Sequence, residues 1–167
     1  MGEDRPVAER LGDRLRAAEQ TLATAESCTG GLVASLVTDV PGASDYFDRA
    51  RVTYTYDAKL DLGVSREALD EHGAVSEPVA LEMARRIRDH AGTTWGVATT
   101  GIAGPSGGTP EKPVGTVYLA VAHAAPLGSG ASYASVERRE FDGTRTEIKE
   151  QIAREALSMA LEEVEAQ

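Results

Sequence analysis

The amino-acid sequence predicts an α/β domain in which helices pack against a mixed β-sheet. Segments with the apolar periodicity of helices alternate with short β-prone runs, which is the pattern of an α/β sandwich. Two of these runs flank the turn Gly128-Ser129-Gly130 and predict a β-hairpin at the edge of the sheet. A chain of 167 residues is long enough for one full hydrophobic core, so we expect residues 1–167 to form a single domain.

Six helices are expected, four with an apolar face and two short ones between turn signals. They are predicted at residues 6–19, 32–41, 57–63, 65–72, 76–92 and 142–164. Asp57 is the expected cap of the first short helix, and Gly92 ends the fifth helix. Asp142 is the expected cap of the last helix, and Thr144 and Glu147 follow one step later in capping-box spacing.

Five β-prone runs predict the strands of the sheet. They lie at residues 21–24, 47–56, 95–100, 114–123 and 132–141. The run from Trp95 to Thr100 predicts a buried strand. In the run at 47–56, the alternation of a strand puts Val52, Tyr54 and Tyr56 on one face.

The charge of the chain excludes one class of function and makes its lysines informative. The formal net charge is -10, spread along the chain, so we expect no binding of nucleic acid through a basic face. Arginine occurs fourteen times, but lysine occurs only at Lys59, Lys112 and Lys149. Such an acidic, lysine-poor surface is also compatible with adaptation to high salt, which screens repulsion between surface charges.

Several common architectures find no support in the composition. The single cysteine, Cys28, excludes an internal disulfide framework, and the scattered histidines have no metal-ligand spacing. No apolar stretch approaches the roughly 18 to 20 residues that span a bilayer, and the N-terminus has no apolar signal region. We therefore expect a soluble, cytoplasmic protein that needs no metal or cofactor and does not bind membranes. A homo-oligomer is expected because it is usual among small enzymes.

The turn at residues 25–31 is the strongest candidate for a reactive site. It lies between the first strand and the second helix, and Ser27 sits at the turn beside unpaired N–H groups of a helix N-terminus. Gly30 and Gly31 would let a substrate approach the backbone closely. The same residue types also begin helices for purely local reasons, so a helix cap without chemistry is the competing interpretation.

A serine nucleophile needs a base, and the sequence offers lysine rather than histidine. No histidine lies close in sequence to the turn at residues 25–31, and the Gly-x-Ser-x-Gly pattern of an α/β-hydrolase is absent. For Lys59 to accept a proton, its pKa must fall by about three units, which costs roughly 4 kcal/mol and requires burial or a nearby positive charge. The Tyr54 hydroxyl could then relay the proton or orient the amine.

Two further features favour an anionic ligand. The segment 101–113 contains four glycines and three prolines and predicts a structured loop. Arg145 lies in the first turn of the last helix, where the helix dipole already favours anions. An arginine that is simply exposed on the surface explains its position equally well.

Five motifs in order along nearly the whole chain resemble the CinA C-terminal domain family. The motifs are Thr24-Ala25-Glu26-Ser27-Cys28-Thr29-Gly30-Gly31, Val52-Thr53-Tyr54 with Ala58-Lys59, Gly73-Ala74-Val75-Ser76, Thr100-Gly101-Ile102-Ala103-Gly104-Pro105 and Lys112-Pro113-Val114-Gly115-Thr116-Val117. The resemblance implies a three-layer α/β/α sandwich. It also implies nicotinamide-nucleotide amidohydrolase activity, which converts nicotinamide mononucleotide and water to nicotinic acid mononucleotide and ammonia.

The resemblance also implies roles for individual residues. Ser27 corresponds to the family's nucleophile, Lys59 to its base and Tyr54 to its assisting hydroxyl. The amides of Thr29, Gly30 and Gly31 are candidates for stabilising an oxyanion. The remaining expected substrate-binding residues are Thr100, Gly101, Gly104, Lys112 and Arg145, the last two with the loop amides as candidates for the phosphate.

Two departures and two alternatives accompany this interpretation. Many family members carry a larger N-terminal domain, for which this chain has no room, and Tyr56 adds a second tyrosine near Tyr54 whose role is open. A rival enzyme mechanism makes Cys28 the nucleophile, because a thiolate is more reactive than a hydroxyl. A rival class of function is a nucleotide- or partner-binding module that keeps the fold without turnover.

Overall fold

The computed structural model of the protein describes residues 4–167, which form a five-stranded sheet between two layers of helices. In chain order the elements are α1 (Val7–Ala18), β1 (Leu22–Glu26), α2 (Leu32–Thr38), a 3₁₀ turn (Ala43–Asp45), β2 (Phe47–Val52), α3 (Tyr56–Leu62), α4 (Arg66–His72), α5 (Glu77–Ala91), β3 (Trp95–Gly101), β4 (Thr116–His123), β5 (Tyr133–Glu140) and α6 (Arg145–Glu165). Every helix and strand predicted from the sequence is present. None of the described helices is both long and apolar enough to cross a bilayer.

The sheet is mixed, in the order β2-β1-β3-β4-β5. Strand β1 pairs in parallel with both β2 and β3, whereas β3 with β4 and β4 with β5 pair antiparallel. The predicted hairpin is therefore confirmed, with β5 at one edge. Because β1, β2 and β3 run in the same direction, their C-terminal ends meet at one edge of the sheet, where ligands bind in open α/β sheets.

The two helical layers cover opposite faces of the sheet, which confirms the three-layer α/β/α sandwich. Helices α1, α2 and α6 pack on one face around the large residues Leu22, Trp95 and Leu119. Helices α3, α4 and α5 pack on the other face. The buried sheet residues in this second core are all alanines, namely Ala23, Ala25, Ala98, Ala120 and Ala122. Small side chains let α5 approach the strands closely.

Gly96 of β3 marks the closest approach between α5 and the sheet. A Cβ atom at this position would lie only 2.3 Å from the Ala84 carbonyl oxygen. The backbones of strand and helix therefore fit together only if residue 96 has no side chain. This contact sets the distance between α5 and the beginning of β3.

The alternation of β1 sends its last side chains to opposite layers. Ala23 and Ala25 face α5, and Leu22 and Thr24 face α2. Glu26 points to the same side as Leu22 and Thr24, and its carboxylate accepts a hydrogen bond from the Val33 amide at the beginning of α2. Ser27, the next residue, falls on the side of α3.

Two predicted boundaries were wrong because a neighbouring residue provides better capping. The second strand ends at Val52, not at Tyr56, since Thr55 caps α3 by accepting a hydrogen bond from the Ala58 amide. Asp57 is therefore inside the helix instead of capping it. Likewise α6 begins after Thr144, whose reciprocal bonds with Glu147 form a capping box, and Asp142 is not the cap.

Candidate active site

A pocket of about 250 Å³ opens at the C-terminal ends of the three parallel strands. Ser27 after β1, Tyr54 after β2 and Gly101 of β3 all contribute to its lining. The glycine-rich loop after β3 and Arg145 of α6 close two further sides. Residues that are far apart in sequence thus converge because the parallel strands end together.

Ser27 and Lys59 form a buried hydrogen-bonded pair at the base of this pocket. The Lys59 Nζ atom lies 2.9 Å from the Ser27 Oγ atom. Ser27 is 8% exposed and Lys59 is fully buried. Lys59 extends from α3, and its Nζ atom also lies 2.7 Å from the Thr53 carbonyl oxygen and 3.0 Å from that of Tyr54. The predicted pair of serine and lysine is thus in direct contact.

Burial makes the Lys59 amine easier to deprotonate. Desolvation lowers the pKa of Lys59 from 10.5 to about 8, because the charged form loses its hydration in the protein interior. A neutral amine has two N–H groups and one lone pair. In this geometry the two carbonyl oxygens accept the N–H groups, and the lone pair is left for the Ser27 hydroxyl proton.

Glu26 supports the turn that carries Ser27, and sequence reasoning missed it. Its carboxylate is fully buried and accepts hydrogen bonds from the amides of Val33 and Ala34, at 2.8 and 3.0 Å. The Thr29 hydroxyl also donates to it, at 2.7 Å. The available signal was an acidic residue that ends a buried strand immediately before a helix N-terminus, where a carboxylate is stabilised.

Cys28 is unsuited to act as the nucleophile. Its side chain is 6% exposed, and burial raises the pKa of the thiol to about 12. A thiol with such a pKa is almost entirely protonated near neutral pH, and only the thiolate is reactive. The cysteine mechanism that the sequence left open therefore loses its physical basis.

Tyr54 and Arg145 meet at the mouth of the pocket. Arg145 Nη2 lies 2.9 Å from the Tyr54 hydroxyl, and Arg145 Nη1 lies 2.6 Å from the Gly104 carbonyl oxygen. The Tyr54 hydroxyl makes no hydrogen bond to Lys59 or Ser27. The Lys59 amine instead contacts the Tyr54 backbone carbonyl oxygen, because the strand ends before Tyr54 and its side chain turns outward. The role of the Tyr54 hydroxyl in relaying the proton or orienting the amine stays a prediction.

The loop after β3 provides the wall opposite Ser27. Thr100, Gly101 and Gly104 line the pocket as expected. The Thr100 hydroxyl donates to the Ala74 carbonyl oxygen at 2.8 Å, which ties the loop to the segment before α5. Gly104 has a φ of 77°, and a Cβ atom there would lie 2.4 Å from Val114, so only glycine fits this bend.

Four expected site residues do not line the pocket, namely Thr29, Gly30, Gly31 and Lys112, and three of them serve the surrounding structure. Lys112 Nζ donates to the carbonyl oxygens of His72 and Val75, at 3.2 and 2.5 Å, so it fastens the loop to the region before α5. The Thr29 side chain belongs to the Glu26 network. The Gly30 amide donates to the Ser27 carbonyl oxygen at 3.0 Å and is not free to bind an oxyanion.

The amides of Thr29 and Gly31 make no hydrogen bond within residues 4–167. Tyr56, whose role the sequence left open, begins α3 and does not share a strand face with Tyr54. Its hydroxyl accepts a hydrogen bond from the Ala74 amide at 3.3 Å. The second tyrosine therefore supports the backbone of Ala74, which lines the pocket.

The pocket is free of acidic side chains although the protein is strongly acidic. No aspartate or glutamate lines it, whereas Lys59 and Arg145 do. Arg145 forms no ion pair with any carboxylate between residues 4 and 167. In that same part of the chain, no group of three His, Cys, Asp or Glu side chains could hold a metal ion.

Comparisons with known proteins agree with this arrangement. The profile of the CinA C-terminal domain matches residues 4–164. The chain is 50% identical to the CinA-like protein of Salinibacter ruber over 151 residues, which are 90% of this chain and 35% of that protein. It is 52% identical to the CinA-like protein of Anaeromyxobacter sp. over 147 residues, 87% of this chain and 34% of that protein. The chain thus spans about a third of the length of the curated relatives it matches.

Solved structures show the same fold along nearly the whole chain. The competence/damage inducible protein CihA from Agrobacterium tumefaciens is 42% identical, with a TM-score of 0.86 and coverage of 93% of both chains. A CinA superfamily protein from Klebsiella pneumoniae is 32% identical, with a TM-score of 0.88 and coverage of 96% of this chain and 97% of that one. The family profile and these two structures together establish that the chain belongs to the CinA C-terminal domain family.

Proposed function

We propose that this domain deamidates nicotinamide mononucleotide to nicotinic acid mononucleotide and ammonia. The observation that carries the proposal is the contact of 2.9 Å between the Lys59 amine and the Ser27 hydroxyl at the base of the pocket. A hydroxyl becomes an effective nucleophile when a base lies within hydrogen-bond distance of it. A lysine with a pKa of about 8 is suited to this task near neutral pH.

In the first half of the reaction, Ser27 Oγ attacks the carboxamide carbon while the hydroxyl proton passes to Lys59 Nζ. The new C–O bond converts the carbonyl oxygen into an oxyanion. Collapse of this intermediate breaks the C–N bond, and the proton on Lys59 passes to the leaving nitrogen, which departs as ammonia. The product at this stage is an ester between Ser27 and the nicotinate group.

In the second half, water hydrolyses that ester. Lys59 takes a proton from the water molecule as its oxygen attacks the acyl carbon, and returns the proton to Ser27 Oγ when the ester bond breaks. The backbone amides of Thr29 and Gly31 remain the proposed donors to the oxyanion, because they have no protein partner among the described residues. Neither residue lines the pocket, so the substrate would have to reach the turn that follows Ser27. One such donor contributes roughly 3 to 4 kcal/mol in comparable sites.

The charge of the pocket supports an anionic substrate. Nicotinamide mononucleotide carries a phosphate, and Arg145 at the pocket mouth has no carboxylate partner between residues 4 and 167. The absence of acidic side chains from the lining removes the repulsion that the net charge of -10 would otherwise cause. The free amides of the glycine-rich loop are further candidates for contacts with the phosphate.

The proposal is tested by ammonia release from nicotinamide mononucleotide, measured at low and high salt. Wild-type protein is expected to release ammonia, with a rate that rises with pH through about 8 as Lys59 loses its proton. Ser27→Ala is expected to reduce the rate to background, and Cys28→Ala, the matched control in the adjacent position, to retain activity. Release by Ser27→Ala at the wild-type rate would refute the serine mechanism. Saturable nucleotide binding without any ammonia would instead support a binding module.

A further inference from the structure

Glu26 carries a fully buried carboxylate that takes no part in the proposed reaction steps. It accepts hydrogen bonds from the amides of Val33 and Ala34, at 2.8 and 3.0 Å. The Thr29 hydroxyl donates to it at 2.7 Å, and the Thr24 hydroxyl makes a longer contact of 3.4 Å. A buried charge is costly unless hydrogen bonds compensate it. The carboxylate therefore holds its donors in one arrangement around the turn that carries the nucleophile.

The Thr29 hydroxyl extends these contacts to β3. Its oxygen lies 2.7 Å from Glu26 Oε1 and 2.8 Å from the Thr99 hydroxyl oxygen. A hydroxyl has one proton and an ionised carboxylate can only accept, so Thr29 donates to Glu26 and accepts from Thr99. The direction of both hydrogen bonds is thus fixed. Glu26, Thr29 and Thr99 are each at most 1% exposed, and we call them the buried network.

The buried network encloses Ser27 on the side away from the pocket. Ser27 directly follows Glu26 and precedes Thr29 by two residues. Its amide donates to the Thr99 carbonyl oxygen at 3.0 Å. Two members of the network are therefore chain neighbours of the nucleophile, and the third holds its backbone.

The backbone of Glu26 also connects the buried network to the base. Its carbonyl oxygen accepts a hydrogen bond from the Thr53 amide at 2.8 Å. The Thr53 carbonyl oxygen in turn accepts from Lys59 Nζ at 2.7 Å. Among the described residues, no hydrogen bond joins the Glu26 side chain to Ser27 Oγ or Lys59 Nζ. Glu26 can therefore influence the reacting atoms only through the backbone that positions them.

From these contacts we infer that the buried network holds the Ser27 hydroxyl in position for Lys59, so that its three members are positioning residues for the nucleophile. This inference rests on the proposed function and deepens it. Attack requires the reacting atoms at a defined distance and direction, and a misplacement of about 1 Å can reduce the rate on the order of a hundredfold. None of the three side chains lines the pocket, so the network affects the chemical step and not the affinity for substrate.

Thr29→Val tests this inference, because valine has a similar shape but no hydroxyl to connect Thr99 with Glu26. We expect kcat for nicotinamide mononucleotide to fall about tenfold or more, and KM to stay within about twofold. Thr29→Ser restores the hydroxyl and should retain kcat within about threefold of the wild type.

Thr93→Val is the matched control for the loss of a buried threonine hydroxyl. The Thr93 hydroxyl is also buried and donates to the Trp95 carbonyl oxygen at 2.9 Å, but at the opposite end of β3 from the pocket. Urea denaturation should show a similar loss of stability in Thr93→Val and Thr29→Val, whereas kcat should fall only in Thr29→Val. An equal fall of kcat in both variants would overturn the inference, because loss of stability alone would then slow the reaction.

Three other kinetic results for Thr29→Val would also overturn the inference. An unchanged kcat would show that the hydroxyl does not position the nucleophile. A raised KM with an unchanged kcat would place the network in substrate binding. A shifted inflection in the dependence of the rate on pH would place it in the proton transfer of Lys59.

Labelling with diisopropyl fluorophosphate distinguishes a failure of this inference from a failure of the proposed function. Ser27 Oγ forms a bond to phosphorus, fluoride leaves as the P–F bond breaks, and the hydroxyl proton passes to Lys59. Mass spectrometry follows this adduct in the absence of any nucleotide. Labelling that slows about tenfold in Thr29→Val, but not in Thr93→Val, supports the positioning role even if the wild type releases no ammonia.

The opposite results separate the two proposals equally clearly. Ammonia release by the wild type, together with equal labelling rates in the wild type and Thr29→Val, would leave the amidohydrolase standing and refute the positioning role. Neither ammonia release nor labelling of Ser27 in the wild type would overturn both proposals, because there would be no reactive hydroxyl to position.

Discussion

The buried Lys59 amine predicts a specific dependence of protein stability on pH. We compare wild-type protein with Lys59→Met, which keeps an unbranched side chain of similar length but has no titratable group. In the folded protein the pKa of Lys59 is about 8, against 10.5 for the ordinary group. The difference of about 2.5 units corresponds to about 3 kcal/mol, at about 1.4 kcal/mol per unit.

Whether the free energy of unfolding rises or falls with pH depends on the number of protons bound in the folded and unfolded states. Between about pH 8 and about pH 10.5, the unfolded chain keeps the Lys59 proton and the folded protein has lost it. Stability rises with pH wherever the unfolded state binds more protons. The free energy of unfolding of the wild type, relative to Lys59→Met, should therefore increase by about 3 kcal/mol across this window and be constant below it.

Urea denaturation at a series of pH values measures this difference. Other groups titrate in both proteins and cancel, and the hydrogen bonds lost in Lys59→Met change the offset but not the slope. Ser27→Ala is the control, because it removes one contact of the amine and leaves it buried, so the rise with pH should persist. A difference that stays flat, or falls, between pH 8 and 10.5 would refute the argument that burial depresses the pKa of Lys59.

Two further predictions concern other buried positions. Iodoacetamide should alkylate Cys28 at pH 8 roughly a thousandfold more slowly in the folded protein than in the protein unfolded by urea, because burial raises the pKa of its thiol from 9.0 to about 12. Equal rates would show that the thiol is reactive in the folded protein. Gly96→Ala should lower the free energy of unfolding by more than about 2 kcal/mol, because its Cβ atom would lie 2.3 Å from the Ala84 carbonyl oxygen. Urea denaturation measures this loss. A loss below about 0.5 kcal/mol would mean that α5 moves away freely.

Local patterns were sufficient to predict the elements but less reliable at their ends. The periodicity of apolar residues predicted four of the helices, because it reports which face is buried. Turn signals predicted the two short helices, and β-prone runs predicted the strands. The ends depend on competition between capping residues a few positions apart. Thr55 and Thr144 cap α3 and α6 where Asp57 and Asp142 were expected, and the early start of α3 shortens the second strand.

The sequence predicted which residues could carry the chemistry of the site better than it predicted which atoms those residues contact. Ser27 and Lys59 were recognised as a potential pair, and they are 2.9 Å apart. Lys112 was expected to bind an anion, since it is one of only three lysines and lies within a family motif, but it donates to two backbone carbonyl oxygens. No local pattern reports where a long side chain finds its partner, so this contact could not have been predicted.

The sequence by itself determined the alternation of helices and strands, the family and the residue types available for acyl transfer. Only the tertiary structure decided what each of those residues touches. Ser27, at the end of β1, contacts Lys59, whose amine is desolvated by its surroundings. The Tyr54 hydroxyl contacts Arg145, which lies 91 residues later in the chain. Burial, and with it the pKa of Lys59, depends on the packing of several distant elements, which no short stretch of sequence encodes.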